Sequence, residues 1–281
     1  MENEMQKESA LPEDLTFQKL EEVTKGFSEE NKVGAGGYGE VYKGVLDNGI
    51  EIAVKKLYPT PGLIDVQFKR EFESLMRVRH PNIIRLVGYC YETRRKYVMI
   101  PNGDYVWARM EERALCFEYL QRGSLDNFLS DESCGLHWHT CYQIIKGICE
   151  GLNYLHNGYG DPIYHLDLKP ENILLDGNMM PIISDFGLSR LFGSTKTHMT
   201  QSNIKGTFGY MPPEYIDKRL ISKKFDVFSL GIIIIRIMAG KLAYPKCVEM
   251  PGQQFIDLVI FFAHHEHRDC AYSSYFMYGK N

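Results

Sequence analysis

From Val33 to Leu57 apolar and polar side chains alternate, with Val41, Lys43 and Val45 on one side of the run and Glu40, Tyr42 and Gly44 on the other. That two-residue rhythm predicts strands, and the turn signal Asp47–Gly49 before a second alternating run, IEIAVKKL, predicts a hairpin. The rhythm then changes. In QFKREFESLMRVR, Phe68, Phe72, Leu75 and Met76 recur at helical spacing, with Glu71 on a neighbouring face. Two more apolar runs, IIRLVGYCY and ALCFEYL, predict strands, and the polar stretch between them, ETRRKYVMIPNGDYVWARMEER, reads as an extended hairpin loop with its turn at PNGD. After Gly123 helices take over. YQIIKGICEGLNYLH sets Ile145, Ile148, Cys149, Leu152 and Leu155 on one stripe ahead of a glycine stop at Gly158. VFSLGIIIIRIMAG is too short for a bilayer and carries Arg236, so it is expected to be a core helix and not a membrane span. The expected fold is α+β: a small antiparallel sheet lobe followed by a larger, mainly helical lobe.

Composition narrows the class. The chain has 281 residues, 44% hydrophobic and 24% charged, as an ordinary globular protein does. A net charge of -4 argues against a nucleic-acid partner. The seven cysteines are scattered and never C-x-x-C, which predicts reduced thiols in a cytoplasmic setting and no zinc site. Residues 1–26 read as a polar lead-in with no signal peptide and no myristoylation signal.

Candidate chemistry begins at VGAGGYGEV, where Val33, Gly34, Ala35, Gly36, Gly37, Tyr38 and Gly39 carry the spacing G-x-G-x-x-G. A dinucleotide site would place those glycines between a strand and a helix. Here strand rhythm follows them, which favours a flap between two strands over the phosphates of ATP. Lys55 on the next strand can reach such phosphates, and Glu71 can hold it by an ion pair. A sharper signal is IYHLDLKPENILLD followed by ISDFGLSR. Phosphoryl transfer needs a carboxylate to orient the attacking hydroxyl, a cation on the phosphate and oxygen ligands for Mg²⁺; Asp167, Lys169, Asn172 and Asp185 supply these groups. Any one of them alone would read as a surface polar residue, but the joint pattern H-x-D-x-K-x-x-N then DFG is rarely accidental.

With GTFGYMPPEY and FDVFSLG added, residues 27 to about 259 resemble a eukaryotic protein kinase, specifically a plant receptor-like or receptor-like cytoplasmic serine/threonine kinase. The resemblance implies ATP and Mg²⁺ as cofactors. It makes Phe117 the gatekeeper, brings the adenine to the backbone of Glu118 and Leu120, and sandwiches it between Val41, Ala53 and Leu174. It makes Thr207 a substrate-positioning residue beside the catalytic aspartate, and with Lys169 it implies transfer to serine or threonine of a protein. Association with receptor kinases, and through them a peripheral place at the plasma membrane, is a further implication.

Three departures stand out. Leu166 replaces the arginine of H-R-D, as in non-RD kinases, a class often associated with plant immune receptors. That substitution predicts weak dependence on phosphorylation at Ser194, Thr195, Thr197, Thr200 or Ser202. No ectodomain or membrane span is read in the chain. The family pattern ends near Leu258, leaving 260–281 as a divergent tail, so the expected division is 1–26 lead-in, 27–120 small lobe, 121–259 a truncated large lobe, then tail. An unfinished large lobe would leave Glu214 without its family partner, since Arg268 does not match that context, and would favour self-association through exposed apolar surface. The alternative to an active enzyme is an ATP-binding or inactive pseudokinase serving as a binding module. His264, His265, His267 and Cys270, like His137 and His139, are assigned no metal.

Overall fold

The computed structural model describes residues 11–130, 136–158, 160–192, 199–200 and 204–248, with side chains described as far as Met238. The expected two-lobed α+β architecture is present. A six-stranded sheet builds the small lobe: β1 (Glu13–Asp14), β2 (Lys32–Gly36), β3 (Gly39–Val45), β4 (Glu51–Leu57), β5 (Leu86–Met99) and β6 (Tyr105–Glu118), in the order β1-β5-β6-β4-β3-β2. All neighbours are antiparallel except β1 and β5. Of the segment read as a polar lead-in, residues 11–26 pack against this lobe. After β1 comes helix α1 (Phe17–Val23), capped by the Thr16 hydroxyl, which accepts from the Lys19 amide at 3.2 Å. Leu15, Phe17 and Leu20 are buried with Ile52, Val54, Cys90 and Cys116 in a core on the outer face of the sheet. This packing was not legible in the sequence, because three apolar residues scattered among glutamates and lysines give no long periodic run.

Helix α2 (Ile64–Leu75) covers the other face. Phe68 and Leu75 are buried as expected, Met76 lies just past the helix end, and Glu71, read on a neighbouring face, is buried as well.

The stretch expected to be an extended hairpin loop is regular sheet. β5 and β6 stay in register from Cys90–Ala114 to Met99–Tyr105, and only the turn is irregular, as PNGD suggested. There the Gly103 amide donates to Ile100 O at 2.9 Å, and Gly103 holds a φ of +92°, which suits a residue without a side chain. Aromatic and β-branched residues near the tip, among them Tyr97, Val98, Val106 and Trp107, pair across the ladder and support it despite the charges nearer the sheet.

The large lobe is built on α3 (Leu125–Ser130), α4 (Trp138–Asn153), α5 (Pro213–Lys218) and α6 (Lys224–Val248), with the paired short strands β7 (Ile163–Tyr164) and β10 (Arg190–Leu191), β8 (Ile173–Leu175) and β9 (Pro181–Ile183), and β11 (Met199–Thr200) and β12 (Leu220–Ile221). The buried stripe of α4 is Cys141, Ile144, Ile148 and Leu152, continuing to Leu155 in a π-type turn. Ile148, Leu152 and Leu155 are buried as read, whereas Ile145 is only half-buried and Cys149 is exposed, their places on the stripe being taken by Cys141 and Ile144. Gly147 and Gly151 lie on the buried side, where an added Cβ would come within 2.5 Å of Pro181 and 2.9 Å of the Asn82 carbonyl. That close packing favours the observed orientation. α6 contributes Ile233 and Ile237 to the core between the lobes' elements, as expected of VFSLGIIIIRIMAG. No helix among the described residues is long and apolar enough to cross a membrane. The tail 260–281 and its histidine and cysteine residues lie outside the described residues, as do Ser194, Thr195, Thr197 and Ser202.

Candidate active site

The glycines lie in the β2–β3 hairpin: Gly34 pairs with Val41, Ala35 with Glu40 and Gly36 with Gly39, while Val33 sits at a bulge. Gly37 and Tyr38 make the turn. Only Gly39 is held by close approach, since an added Cβ would sit 2.3 Å from the Lys56 carbonyl oxygen; Gly36 and Gly37 face open space. Tyr38 folds inward, its ring beside Gly187. Burial and then the charge of Asp185 push its phenol up.

β3, β4 and β6 form one wall of the cleft. Val41 pairs with Lys55, and Ala53 with Phe117, so strand alternation sets Val41, Ala53, Lys55 and Phe117 on one face. β6 ends at Glu118, whose amide donates to Arg85 O at 3.2 Å and whose carboxylate accepts from the Arg85 amide at 2.9 Å. This clamp fixes the crossing between lobes at Glu118–Leu120. Leu120, Ala53 and Leu174 border the same core cluster, with Leu174 arriving on β8 from the other lobe.

The Lys55 ammonium lies 2.8 and 3.0 Å from the two oxygens of Glu71 and 2.7 Å from Asp185 Oδ1. Burial opposes its charge, but Asp185 and Glu71 outweigh burial and hold it above the usual lysine range. Burial also works against the Asp185 carboxylate, yet Lys55 draws it below the usual range. Glu71 is raised, with burial the larger influence and Lys55 opposing it. Of the two carboxylates, Glu71 is 2% exposed and Asp185 38% exposed. Ser74 on α2 hydrogen-bonds Ser189 at 2.8 Å and Arg70 donates to Gly187 O at 3.2 Å, so α2 is tied to the DFG segment on both sides of the ion pair.

Across the cleft, the Thr207 hydroxyl donates to Asp167 Oδ1 at 2.8 Å and accepts from Lys169 Nζ at 2.9 Å. Lys169 also lies 3.1 Å from Asp167 Oδ2. The Asn172 amide donates to Asp167 O at 2.8 Å and to Oδ2 at 3.3 Å, which leaves its own oxygen as an acceptor for a cation. Asp167, Lys169 and Asn172, and Thr207 from forty residues away, therefore meet in one place, while Asp185 is held by Lys55.

Sequence reasoning missed what holds the loop. Asp226, fully buried on α6, accepts from the His165 and Leu166 amides at 2.9 and 2.8 Å and meets His156 Nε2 at 2.8 Å. A lone acid ahead of an apolar helix, FDVFSLG, was the available signal. These bonds keep Leu166 at φ +65°, a conformation that costs a non-glycine residue about 1–2 kcal/mol. The Leu166 side chain is buried with Leu188, Tyr215, Ile221 and Phe225, beside a small cavity that Arg190 and Lys205 also line. Arg190 donates to the carbonyls of Leu188 and Ser189.

A sequence profile described as a protein kinase domain matches residues 27–269. Similar proteins from Arabidopsis thaliana include cysteine-rich receptor-like protein kinase 7, 42% identical over 229 residues, covering 81% of this chain and 32% of that protein. Cysteine-rich receptor-like protein kinase 29 is 44% identical over 229 residues, 80% of this chain and 31% of the relative. The G-type lectin S-receptor-like serine/threonine-protein kinase SD1-13 is 42% identical over 227 residues, 80% and 25% respectively. The chain thus spans a third or less of the length of these relatives.

Proposed function

Because the chain belongs to the protein kinase domain family, we propose that it transfers the γ-phosphate of ATP to a serine or threonine hydroxyl of a protein. The observation that carries this reading is the Asp167–Thr207–Lys169 cluster facing the Lys55–Glu71–Asp185 cluster.

The residues fit the cofactors. Lys55 directs its N–H groups to a buried carboxylate and a half-exposed one, so a phosphate oxygen would displace Asp185 and leave Glu71 in place. Asp185 and the Asn172 oxygen would then hold a divalent cation. A bound Mg·ATP supplies the transferable phosphoryl group and neutralises its charge. Val41, Ala53 and Leu174 offer apolar contact to a base, and the backbone of Glu118 and Leu120 offers it hydrogen bonds. Gly34, Gly36 and Gly37 would offer backbone amides to the phosphates without side chains in the way. Asp167 would orient the acceptor hydroxyl and take its proton as the bond to phosphorus forms and the bond to the departing ADP oxygen breaks. Thr207 and Lys169 hold the aspartate in that rotamer, and Lys169 brings positive charge to the reacting phosphate.

The relatives' receptor-like character supports action beside receptor kinases, at the inner side of the plasma membrane, on a protein substrate. The test is phosphate transfer from radiolabelled Mg·ATP to a generic basic protein, followed by phosphoamino-acid separation. Label on serine or threonine, reduced at least a hundredfold by Asp167→Asn, is expected. Equal labelling by the variant, or label on tyrosine alone, would overturn the reading.

A further inference from the structure

The outer part of the β5–β6 ribbon carries exposed groups that the proposed reaction does not use. Its register pairs Tyr97 with Trp107, Met99 with Tyr105 and Arg95 with Arg109. Alternation places all six on one face. Trp107 is 71% exposed there, Met99 65%, and Tyr97 and Tyr105 56% each. The rings pack on one another, Tyr97 to Tyr105 at 5.4 Å and Tyr97 to Trp107 at 5.1 Å between centroids, which orients them without covering them. A contiguous exposed patch of this kind marks an interaction site.

Beside the patch, Arg95 and Arg109 stand directly opposite each other, an arrangement of like charges that destabilises a ladder. Arg109 reaches Glu111 only at 3.8 Å and stays 71% exposed, and Arg95 has no ion-pair partner among the described residues. The base of the ribbon is held firmly. Arg113, 2% exposed, bonds Asp65 on α2 at 2.7 Å, donates to the carbonyls of Glu92 and Glu112, and lies 3.6 Å over the Tyr91 ring.

We propose that this face is a docking surface for an extended acidic segment of a partner protein. Its carboxylates would sit on Arg95 and Arg109, and its apolar side chains would cover Tyr97, Met99 and Trp107. A carboxylate between the guanidiniums relieves their repulsion and forms charge-assisted hydrogen bonds. Aromatic side chains beside arginine are the composition of interface anchors. A lipid surface fits less well: over residues 92–112 four cations, Arg94, Arg95, Lys96 and Arg109, are matched by Glu92, Asp104, Glu111 and Glu112, and Asp104 sits at the tip. A symmetric contact between two copies would bring two such arginine pairs into one interface.

The test is selection of randomised displayed peptides on the purified protein, run in parallel on Arg95→Glu/Arg109→Glu and on Trp107→Ala, with circular dichroism melts to show that each variant folds. Wild-type selections are expected to enrich Asp and Glu interspersed with aromatic or aliphatic residues. The best synthetic peptide should bind at least about tenfold more weakly to each variant, and more weakly as salt rises. Enrichment of the same sequences on all three proteins would overturn the proposal. So would Trp107-dependent binding to phosphatidylserine vesicles in the absence of acidic-peptide binding, or a dimeric elution volume that Trp107→Ala makes monomeric. Because every readout is binding, failure here is distinguishable from failure of phosphotransfer.

Discussion

Lys55 is the residue on which stability and chemistry meet most closely. It was readable in the sequence because a lysine in an alternating run, two residues from Ala53, needs only strand geometry to point into the cleft. The depth of Glu71 was not readable, since helical spacing gives an angle but not the neighbour that covers it. That burial changes the expected behaviour of Lys55→Met, which removes the charge that compensates a carboxylate 2% exposed. Beyond abolishing transfer, the substitution should cost about 3 kcal/mol near neutral pH. Glu71 is already raised in the native state and rises further without Lys55, so its neutral form is the one the fold accepts. Stability tied to such a group is present below its unfolded value and lost as pH rises through the folded one. The gap between wild type and variant in urea midpoints should therefore widen from pH 4 to pH 7, and Lys55→Met/Glu71→Gln should close most of it. A gap independent of pH would show that Glu71 is not the cause. Leu166 gives a second case. Its difference from arginine was plain in the sequence, but its burial among Leu188, Tyr215, Ile221 and Phe225 was not. Leu166→Arg puts a charge there beside Arg190 and Lys205 and should lower stability by about 3 kcal/mol or more, read from the same denaturation curves. An unchanged midpoint would mean that the site already accommodates a cation.

Elements with one strong period were legible and those built from mixed signals were not. The β3–β4 hairpin follows from alternation alone, whereas α1 needed knowledge that Phe17 and Leu20 meet Ile52 and Val54 on the far side of a sheet. The β5–β6 ribbon misled because its charges suggest a loop, while cross-strand pairs decide its conformation. Its attachment to α2 rests on Arg113, which touches Asp65, Tyr91 and two carbonyls at once. Arg113→Leu keeps bulk but removes those bonds. It should raise amide exchange by at least about tenfold, about 1.4 kcal/mol of local opening, across residues 92–112 and the first turn of α2. Exchange in α4, which shares none of these contacts, should not change. Equal acceleration in both places would mean global destabilisation and not a local hinge.

For the molecule as a whole, the cleft is a junction whose two sides are held by different means. The upper wall is a sheet with its own outer core, and the lower side is a loop hung on one buried acid, Asp226, through two backbone amides. The chain itself crosses between them at Glu118–Leu120, where the Glu118 carboxylate accepts from the Arg85 amide at 2.9 Å. The Lys55–Asp185 contact is a second, noncovalent crossing, 2.7 Å long, and it joins the two groups that the cofactor would part. Mg·ATP should therefore replace this bridge with bonds from both lobes and stabilise the whole. If it binds only the native state, nucleotide at about 100 times its dissociation constant adds ~2.7 kcal/mol. A thermal shift of that size is expected with Mg·ATP. It should be smaller with ATP in excess EDTA, because Asp185 released from Lys55 then faces the phosphates without a cation between them. Lys55→Met/Glu71→Gln should abolish most of it while leaving the unliganded melt near wild type. A shift that is equal with and without the metal would show that Asp185 and Asn172 do not hold a cation. An absent shift at millimolar nucleotide would show that the two walls do not form a nucleotide site.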